Sequence, residues 1–422
     1  MNISGFFTGL RIKAKDSYDK LVLDKLKKNE KAYASFQKAS KLLKDNAMLF
    51  ALFVVYIFFI FRTDGQIFDP SSFRELINQN AYVYILGTGM LMCMLTGGNI
   101  DLSCGAFVCL LGAFGGVFMS VLGYGAGKSI LLMMLIGIGY GVVLGFIIAY
   151  VHIPPWIATL VGYLAFRGLG TKILSDNSST GALANFPEEF RNIFYGKVLA
   201  SPEGEFNIPC FLIGVAAAAA VVWIVFNTRR KRLAKGYAAD TVKQAATKSG
   251  IGAAAILLVM TQLSLAGGIP TVMLWVVAII LIYSFITSKT TIGRHFYVVG
   301  GNKEAARLSG VNTRRIMFLA YLNMAVLTSI ATMAAVSRTQ SAYADAGKGF
   351  ELDAISACVV GGVSASGGAG TILGMVIGAT LIGVINMGMS LSGLDMDYQK
   401  VVKGFVLLGA VVFDILSKKK NK

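Results

Sequence analysis

Stretches of about 20 mostly apolar residues recur along this chain with short gaps between them, and nothing else in it limits the possible folds so strongly. They lie near 46–62, 76–96, 103–122, 128–151, 154–174, 208–226, 250–267, 270–287, 315–337, 369–391 and 398–416. In a bilayer every backbone N–H and C=O must be bonded within the protein, which leaves helices or closed barrels. A barrel would show ~10-residue segments of alternating polarity, and these runs do not alternate. A shorter small-residue run, 352–366, is ambiguous. The expected fold is an all-α, polytopic integral membrane protein of about 10 to 12 transmembrane helices, with broken glycine-rich helices and an internal repeat.

Composition agrees. Hydrophobic residues make up 55% of the 422 and charged ones 14%, against roughly 25% charged in soluble domains, so no sizeable soluble domain fits. The net charge of +17 suggests nucleic acid until its placement is seen. Lys and Arg cluster through residue 45, in 227–249, in 288–315 and at Lys418, Lys419, Lys420 and Lys422, and these four segments hold 28 of the 39. Basic loops mark the cytoplasmic side, so no nucleic-acid partner is expected. Loop 175–207 has the opposite balance, with Asp176, Glu188, Glu189, Glu203 and Glu205 against Arg191 and Lys197, and is expected outside. Alternating the spans puts both termini inside if 352–366 crosses, or if a second run also fails to span.

The expected organisation is a basic cytoplasmic arm over 1–45, a transmembrane domain over 46–417 and a basic tail over 418–422. The arm carries Tyr18, Leu21, Val22 and Leu26 at helical spacing among lysines, which fits an amphipathic helix on the inner leaflet or a solvated lead-in. No secretory cleavage pattern is visible, so the first apolar run reads as an anchor.

Several motifs resemble sites without the context those sites need. Leu122–Ile130, LGYGAGKSI, nearly spells a phosphate loop, but Leu122 stands where a glycine is required and the segment joins two membrane runs. GIGYG at 137–141 reads as a small-residue stripe for close helix packing. His152 and His295 have no Ser or Asp arrangement around them. Cys93, Cys104, Cys109, Cys210 and Cys358 show no metal or disulfide spacing and read as small packing residues. No catalytic residue and no metal site is expected.

Two glycine-broken segments are the places where polar chemistry enters the apolar runs. LTGGNIDLSCGAF, 95–107, puts Asn99, Asp101 and Ser103 between two runs, and ACVVGGVSASGGAGTILG, 357–374, repeats the plan with Ser364 and Ser366. Asp101 or Ser103 fits an N-cap of the following helix. Both also fit the lining of a polar passage, as broken transporter helices often supply. Gln79, Asn80, Asn323, Asn386 and Gln399 are further polar residues in apolar context. Uncharged amides offer donor and acceptor together and suit a neutral, hydroxyl-rich solute, or act as interhelical glue. The substrate-pathway candidates are Gln79, Asn80, Asn99, Asp101, Ser103, Ser364, Ser366 and Asn386.

The polar stretch 293–315 carries a compact helix signature. Asn302 is a good N-cap, Glu304 suits the positive first turn and Gly310 stops the helix, while Arg294, Arg314 and Arg315 anchor its base at the headgroups. A helix this short is not stable alone in water, so it reads as a segment packed against something, a coupling helix or an ordinary capped loop.

TGGNIDLSCGAF, IGRHFYVVGGNKEAARLSGV and ELDAISACVVGGVSASGGAGTILGMVIGA together resemble the permease subunits of bacterial binding-protein-dependent ABC importers for monosaccharides, of the ribose, galactoside and xylose type. The likeness runs from about residue 76 to 416, and the basic insertion at 227–249 resembles the xylose or multiple-sugar branch. Cys104 after Ser103 and the length of the N-terminal arm depart from the usual pattern.

The resemblance implies a non-enzymatic transport subunit in the bacterial inner membrane, paired with a second permease copy. Its implied partners are a cytoplasmic ABC ATPase, which would bind ATP and Mg while this chain binds no cofactor, a periplasmic or lipid-anchored sugar-binding protein, and a monosaccharide such as xylose or galactose. It further implies ATPase coupling through Gly293, Arg294, Gly301, Asn302, Glu304, Ala305, Ala306 and Gly310. The rival readings are the same machinery for nucleosides or branched-chain amino acids, and an ion-coupled secondary transporter in which Asp101 carries the coupling.

Overall fold

The structure, a computed structural model, describes residues 47–419; the basic arm over 1–45 and residues 420–422 lie outside them. The first helix, α1 (Ala47–Arg62), begins in a separate N-terminal unit ending at Val54, and everything below concerns the second unit, Val55–Lys422. The helices that follow are α2 (Pro70–Leu95), α3 (Cys104–Gly116, continued by a π turn to Val121), α4 (Ala126–Ala149) and α5 (Pro155–Asn177). After them come α6 (Glu188–Tyr195), α7 (Ile208–Ala234), α8 (Val242–Leu265), α9 (Thr271–Lys289), α10 (Thr291–Gly301) and α11 (Lys303–Leu308). The last are α12 (Thr313–Thr339), α13 (Phe350–Val360), α14 (Ile372–Leu391) and α15 (Met396–Lys419).

Each of the eleven expected runs holds one helix. Among the described residues eight helices are long and apolar enough to cross a membrane: α3 with its π turn, α4, α5, α7, α8, α9, α12 and α14. Two others are of comparable length, α2 with 26 residues and α15 with 24. The short run 352–366 is not a full helix: α13 has 11 residues and then gives way to non-helical backbone through 371. The chain is a polytopic helical membrane protein.

Burial divides the spans. The most apolar windows of α3 and α14 are 72% buried, whereas those of α5 and α7 are only 17% buried. Helices α2, α3, α12 and α14 therefore make the interior, and the others present apolar side chains such as Leu164, Trp223 and Leu281 outward, as lipid contact requires. Lipid supplies no hydrophobic drive between helices, so they associate through close packing. The glycine stripe of α4 does this: a Cβ built on Gly137 would fall 1.8 Å from Ser329 Oγ of α12, with Gly141 against Ala325 and Gly145 against Phe318.

Two short ladders tie loops together on one face, hereafter the loop face. Strand β1 (Ala182–Ala184) pairs antiparallel with β4 (Ser341–Tyr343), Leu183 opposite Ala342, and β2 (Lys197–Val198) pairs antiparallel with β3 (Ile269–Pro270). The phosphate-loop lookalike is the turn between α3 and α4, where Ser120 Oγ donates to Ala184 O of β1 and Lys128 sits over the Tyr124 ring. The opposite face carries α10, α11 and residues 95–101 and 361–371; it is the basic face.

Candidate functional site

The most exposed part of the basic face is built by local capping. Thr290 Oγ1 accepts from Gly293 N at 3.0 Å and opens α10, whose buried side is Gly293, Phe296 and Val299. Asn302 then ends α10 and starts α11, its Oδ1 accepting from Ala305 N at 2.9 Å. Within α11 Ala306 alone is buried, while Lys303, Glu304, Ala305, Arg307 and Leu308 face solvent, and Glu304 pairs with Arg307 at 3.0 Å. Gly310 follows with φ +82°, a left-handed stop. Arg294, Arg314 and Arg315 are exposed around this base. The capped helix expected over 302–310 is present; the helix before it is additional.

This segment rests on both broken elements. Tyr297 Oη donates to Gly370 O at 3.0 Å, and Gly368 N donates to Leu95 O at 3.2 Å. A Cβ on Gly300 would lie 1.7 Å from Leu95 O and 2.6 Å from Gly368 N, and one on Gly293 would lie 2.0 Å from Ile286 O. A Cβ on Gly301 would meet open space. The two broken segments also touch each other, Gly98 against Ala365 and Gly367 against Gly97. Gly97, Gly98, Gly367 and Gly368 all have positive φ, which explains why the sequence doubles glycine at 97–98 and 367–368.

The polar residues of these segments serve the turns themselves. Asn99 Nδ2 donates to Thr96 O at 3.2 Å, and Ser364 Oγ and Ser366 Oγ lie 3.1 Å apart. Ser103 occupies the N-cap position of α3 but its side chain caps nothing, because its backbone is already α-like (φ −82°, ψ −18°) where a cap residue is extended. Its N–H and hydroxyl instead go to Asp101 Oδ1, and the hydroxyl also meets Tyr140 Oη. Asp101 is 1% exposed and its Oδ2 has no partner among the described residues.

Helices α3 and α13 meet end to end. The first turn of α3 touches the first turn of α13: Gly105 packs directly on Gly347 O and Glu351 Oε2. Between β4 and α13 the chain descends along α3 as a succession of turns, with Gly347 and Gly349 at positive φ. Arg167 of α5 holds it there, Nη1 donating to Ala344 O at 2.8 Å and to Ala346 O at 2.7 Å. Broken helices whose positive N-terminal ends meet within the membrane domain are a recurrent transporter device.

Toward the loop face this junction opens into a cavity of about 210 Å³. Tyr82 and Phe350 stack in its wall with centroids 3.6 Å apart, and Tyr82 Oη donates to Asp353 Oδ2 at 2.6 Å. Lys403 Nζ of α15 donates to the same oxygen at 3.0 Å. Gln79 and Asn386 line the cavity.

The model of the branched-chain amino acid transport system / permease component family matches residues 72–411. The chain belongs to this family. It is 32% identical to the xylose transport system permease protein XylH of Haemophilus influenzae over 391 residues, covering 91% of this permease and all of that relative. It is 30% identical to the ribose import permease protein RbsC of Escherichia coli over 376 residues, 88% of this permease and 94% of the relative. With the galactose/methyl galactoside import permease protein MglC of Haemophilus influenzae the identity is 27%, over 91% of this permease and 98% of the relative. No solved structure matches the chain at a significant level.

Of the eight pathway candidates in this permease, only Gln79 and Asn386 reach the cavity. Asn80 binds helix to helix instead, Nδ2 to Ala379 O at 2.8 Å, as does Asn323 with Tyr283 Oη. Asn99, Asp101, Ser103, Ser364 and Ser366 belong to the turns of the broken segments. Tyr82, Asp353 and Lys403 were not among the candidates; the available signal was an acid and a base, Asp353 and Lys403, each at the edge of an apolar run.

The loop face of the permease is tied by charge. Arg74 Nη1 donates to Glu203 Oε1 at 2.7 Å and to Ala266 O at 2.5 Å, and Lys197 reaches Glu203 at 3.0 Å. Hydrogen bonds from Arg74 and Lys197 hold the Glu203 carboxyl below its usual range. Arg338 pairs with Glu75 at 2.8 Å. A second cavity of about 400 Å³ opens here among Arg74, Glu188, Arg191 and Lys197.

Proposed function

We propose that this permease is the membrane subunit of an ATP-driven importer that carries a monosaccharide, of the xylose, ribose or galactose kind named for its relatives, from an external binding protein to the cytoplasm. The observation that carries the reading is the seating of Gly300 on Leu95 O and Gly368 N. It makes the exposed α10–α11 segment continuous with both broken elements. A partner pushing on α11 would move the ends of α2 and of the 361–371 loop together, and these lead to the α3–α13 junction and the cavity.

In this reading the basic face and both termini are cytoplasmic in the bacterial inner membrane, and an ABC ATPase, which holds ATP and Mg, docks on Glu304, Ala305, Arg307 and Leu308. The loop face receives the sugar-binding protein, and a second permease copy completes the pair. The uncharged lining residues Gln79 and Asn386 support a neutral solute.

The test is gentle purification of the tagged full-length chain from its own membrane, with mass spectrometry of what accompanies it and sugar uptake with and without a protonophore. An ATPase, a sugar-binding protein and protonophore-resistant uptake are expected. A chain that purifies alone and loses uptake with the protonophore would sink the reading in favour of ion coupling.

A further inference from the structure

We propose that the loop-face cavity is a monosaccharide-binding station within the permease itself, with Asn386, Gln79 and Asp353 as the groups that read the hydroxyls. The inference rests on the importer reading above and goes further by assigning recognition to named residues of the membrane subunit.

Three observations converge. First, Asn386 is 8% exposed, lines the cavity, and its Oδ1 has no hydrogen-bond partner among the described residues. A buried amide oxygen left in this state can accept from a water or from a solute hydroxyl that displaces it. The side chain of Gln79, half-buried in the same wall, also makes no hydrogen bond among the described residues. Second, the charges around the cavity are already matched: Asp353 with Lys403, Arg338 with Glu75 and Lys348 with Asp345. An ionic ligand would have to break one of these pairs, whereas a neutral one needs only the free amides. Both bonds to Asp353 fall on Oδ2, which leaves Oδ1 as a further acceptor. Third, the stacked Tyr82–Phe350 pair gives the cavity an aromatic wall, suited to the C–H face of a sugar ring as the amides suit its hydroxyl rim. The volume of about 210 Å³ is below the ~300 Å³ where drug-sized sites begin, which favours a solute of monosaccharide size.

The experiment is cysteine protection in the full-length permease, in native membranes with its partner subunits. The five native cysteines are all buried, so a membrane-impermeant thiol reagent has a low background. Asn386→Cys and Gln79→Cys are each labelled from outside with D-xylose, D-ribose, D-galactose, leucine or uridine present, well above the ~1 mM upper end of usual KM values. At about ten times Kd the unprotected fraction falls about tenfold, and a slowing of that size by at least one sugar, with none by leucine or uridine, is expected at one position or both. Protection by leucine or uridine instead, no protection by any sugar, or no labelling at either position overturns the proposal. Wild-type uptake is measured in the same membranes with and without a working ATPase. Uptake that depends on the ATPase while no sugar protects removes the binding station and leaves the importer reading standing; uptake indifferent to the ATPase removes that reading itself.

Discussion

Gly300 packs its backbone against the carbonyl oxygen of Leu95, so closely that an added Cβ would sit 1.7 Å from that oxygen. Helix α10 is thereby fixed to the end of α2 without any side chain between them. An exposed helical Gly→Ala change normally stabilises by about 0.5–1 kcal/mol. Here the overlap reverses the sign, and overpacking of this kind costs about 1–3 kcal/mol. Gly300→Ala is therefore expected to lower ATP-driven uptake in membrane vesicles tenfold or more, about the factor that 1.4 kcal/mol represents. Gly301→Ala, in open space, leaves uptake near wild type. Equal behaviour of the two variants would mean that α10 does not transmit force through this contact.

Glu304 and its partner Arg307 are both exposed on α11. Reversing the charge with Glu304→Lys should change stability by no more than about 0.5 kcal/mol, as usual for surface sites. The ATPase should nonetheless fail to co-purify, and uptake should fall by at least tenfold. Thermal unfolding of the variant and pull-down with the ATPase separate the two effects. Retained ATPase binding would remove α11 from the docking surface.

Glu203 joins Arg74 and Lys197 on the loop face, and those hydrogen bonds depress its folded pKa. A carboxyl of this kind stabilises the fold above its ordinary value of 4.5, and the contribution is lost as pH falls through the lower folded value. Glu203 is half exposed, so the effect is modest and weakens with salt. Wild type is expected to resist proteolysis between residues 196 and 207 better than Glu203→Gln at neutral pH, the difference closing in acid as the carboxyl protonates below its ordinary value. A difference that persists unchanged in acid would show that the ion cluster is not its source.

The spans were legible because a bilayer imposes ~20 apolar residues on each, and the 302–310 helix because its cap and stop are local. The stripe Gly137, Gly141, Gly145 was legible for the same reason: helical period and residue size are properties of the sequence alone. Helix α10 was not, since Gly300 and Gly301 and the β-branched pair Val298 and Val299 argue against a helix there, and tertiary contact with Leu95 and Gly368 decides otherwise. The descent of 341–349 along α3 was hidden in a loop-like composition, and Arg167 is what pins it. The cavity drew its residues from α2, α12, α13, α14 and α15, and no local pattern announces that Tyr82 and Asp353, 271 positions apart, share a hydrogen bond. Ser103 misled because its residue type suits a cap while its backbone does not.

The Asp353–Lys403 pair is asymmetric in burial: the side chains are 4% and 27% exposed. Removing Lys403 as Lys403→Met leaves a buried carboxylate with Tyr82 as its remaining side-chain partner, and breaking a buried pair costs about 3–5 kcal/mol. Asp353→Asn leaves an amide in the wall and an ammonium that reaches water, so it should cost clearly less. The double variant Asp353→Asn with Lys403→Met should recover most of the loss, because no charge is left unmatched. Thermal unfolding of the purified full-length permease measures all three, and the cycle yields the coupling directly. Additive losses in the double variant would show that the two residues do not act as a pair, and α15 would then be held to α13 by apolar contact alone.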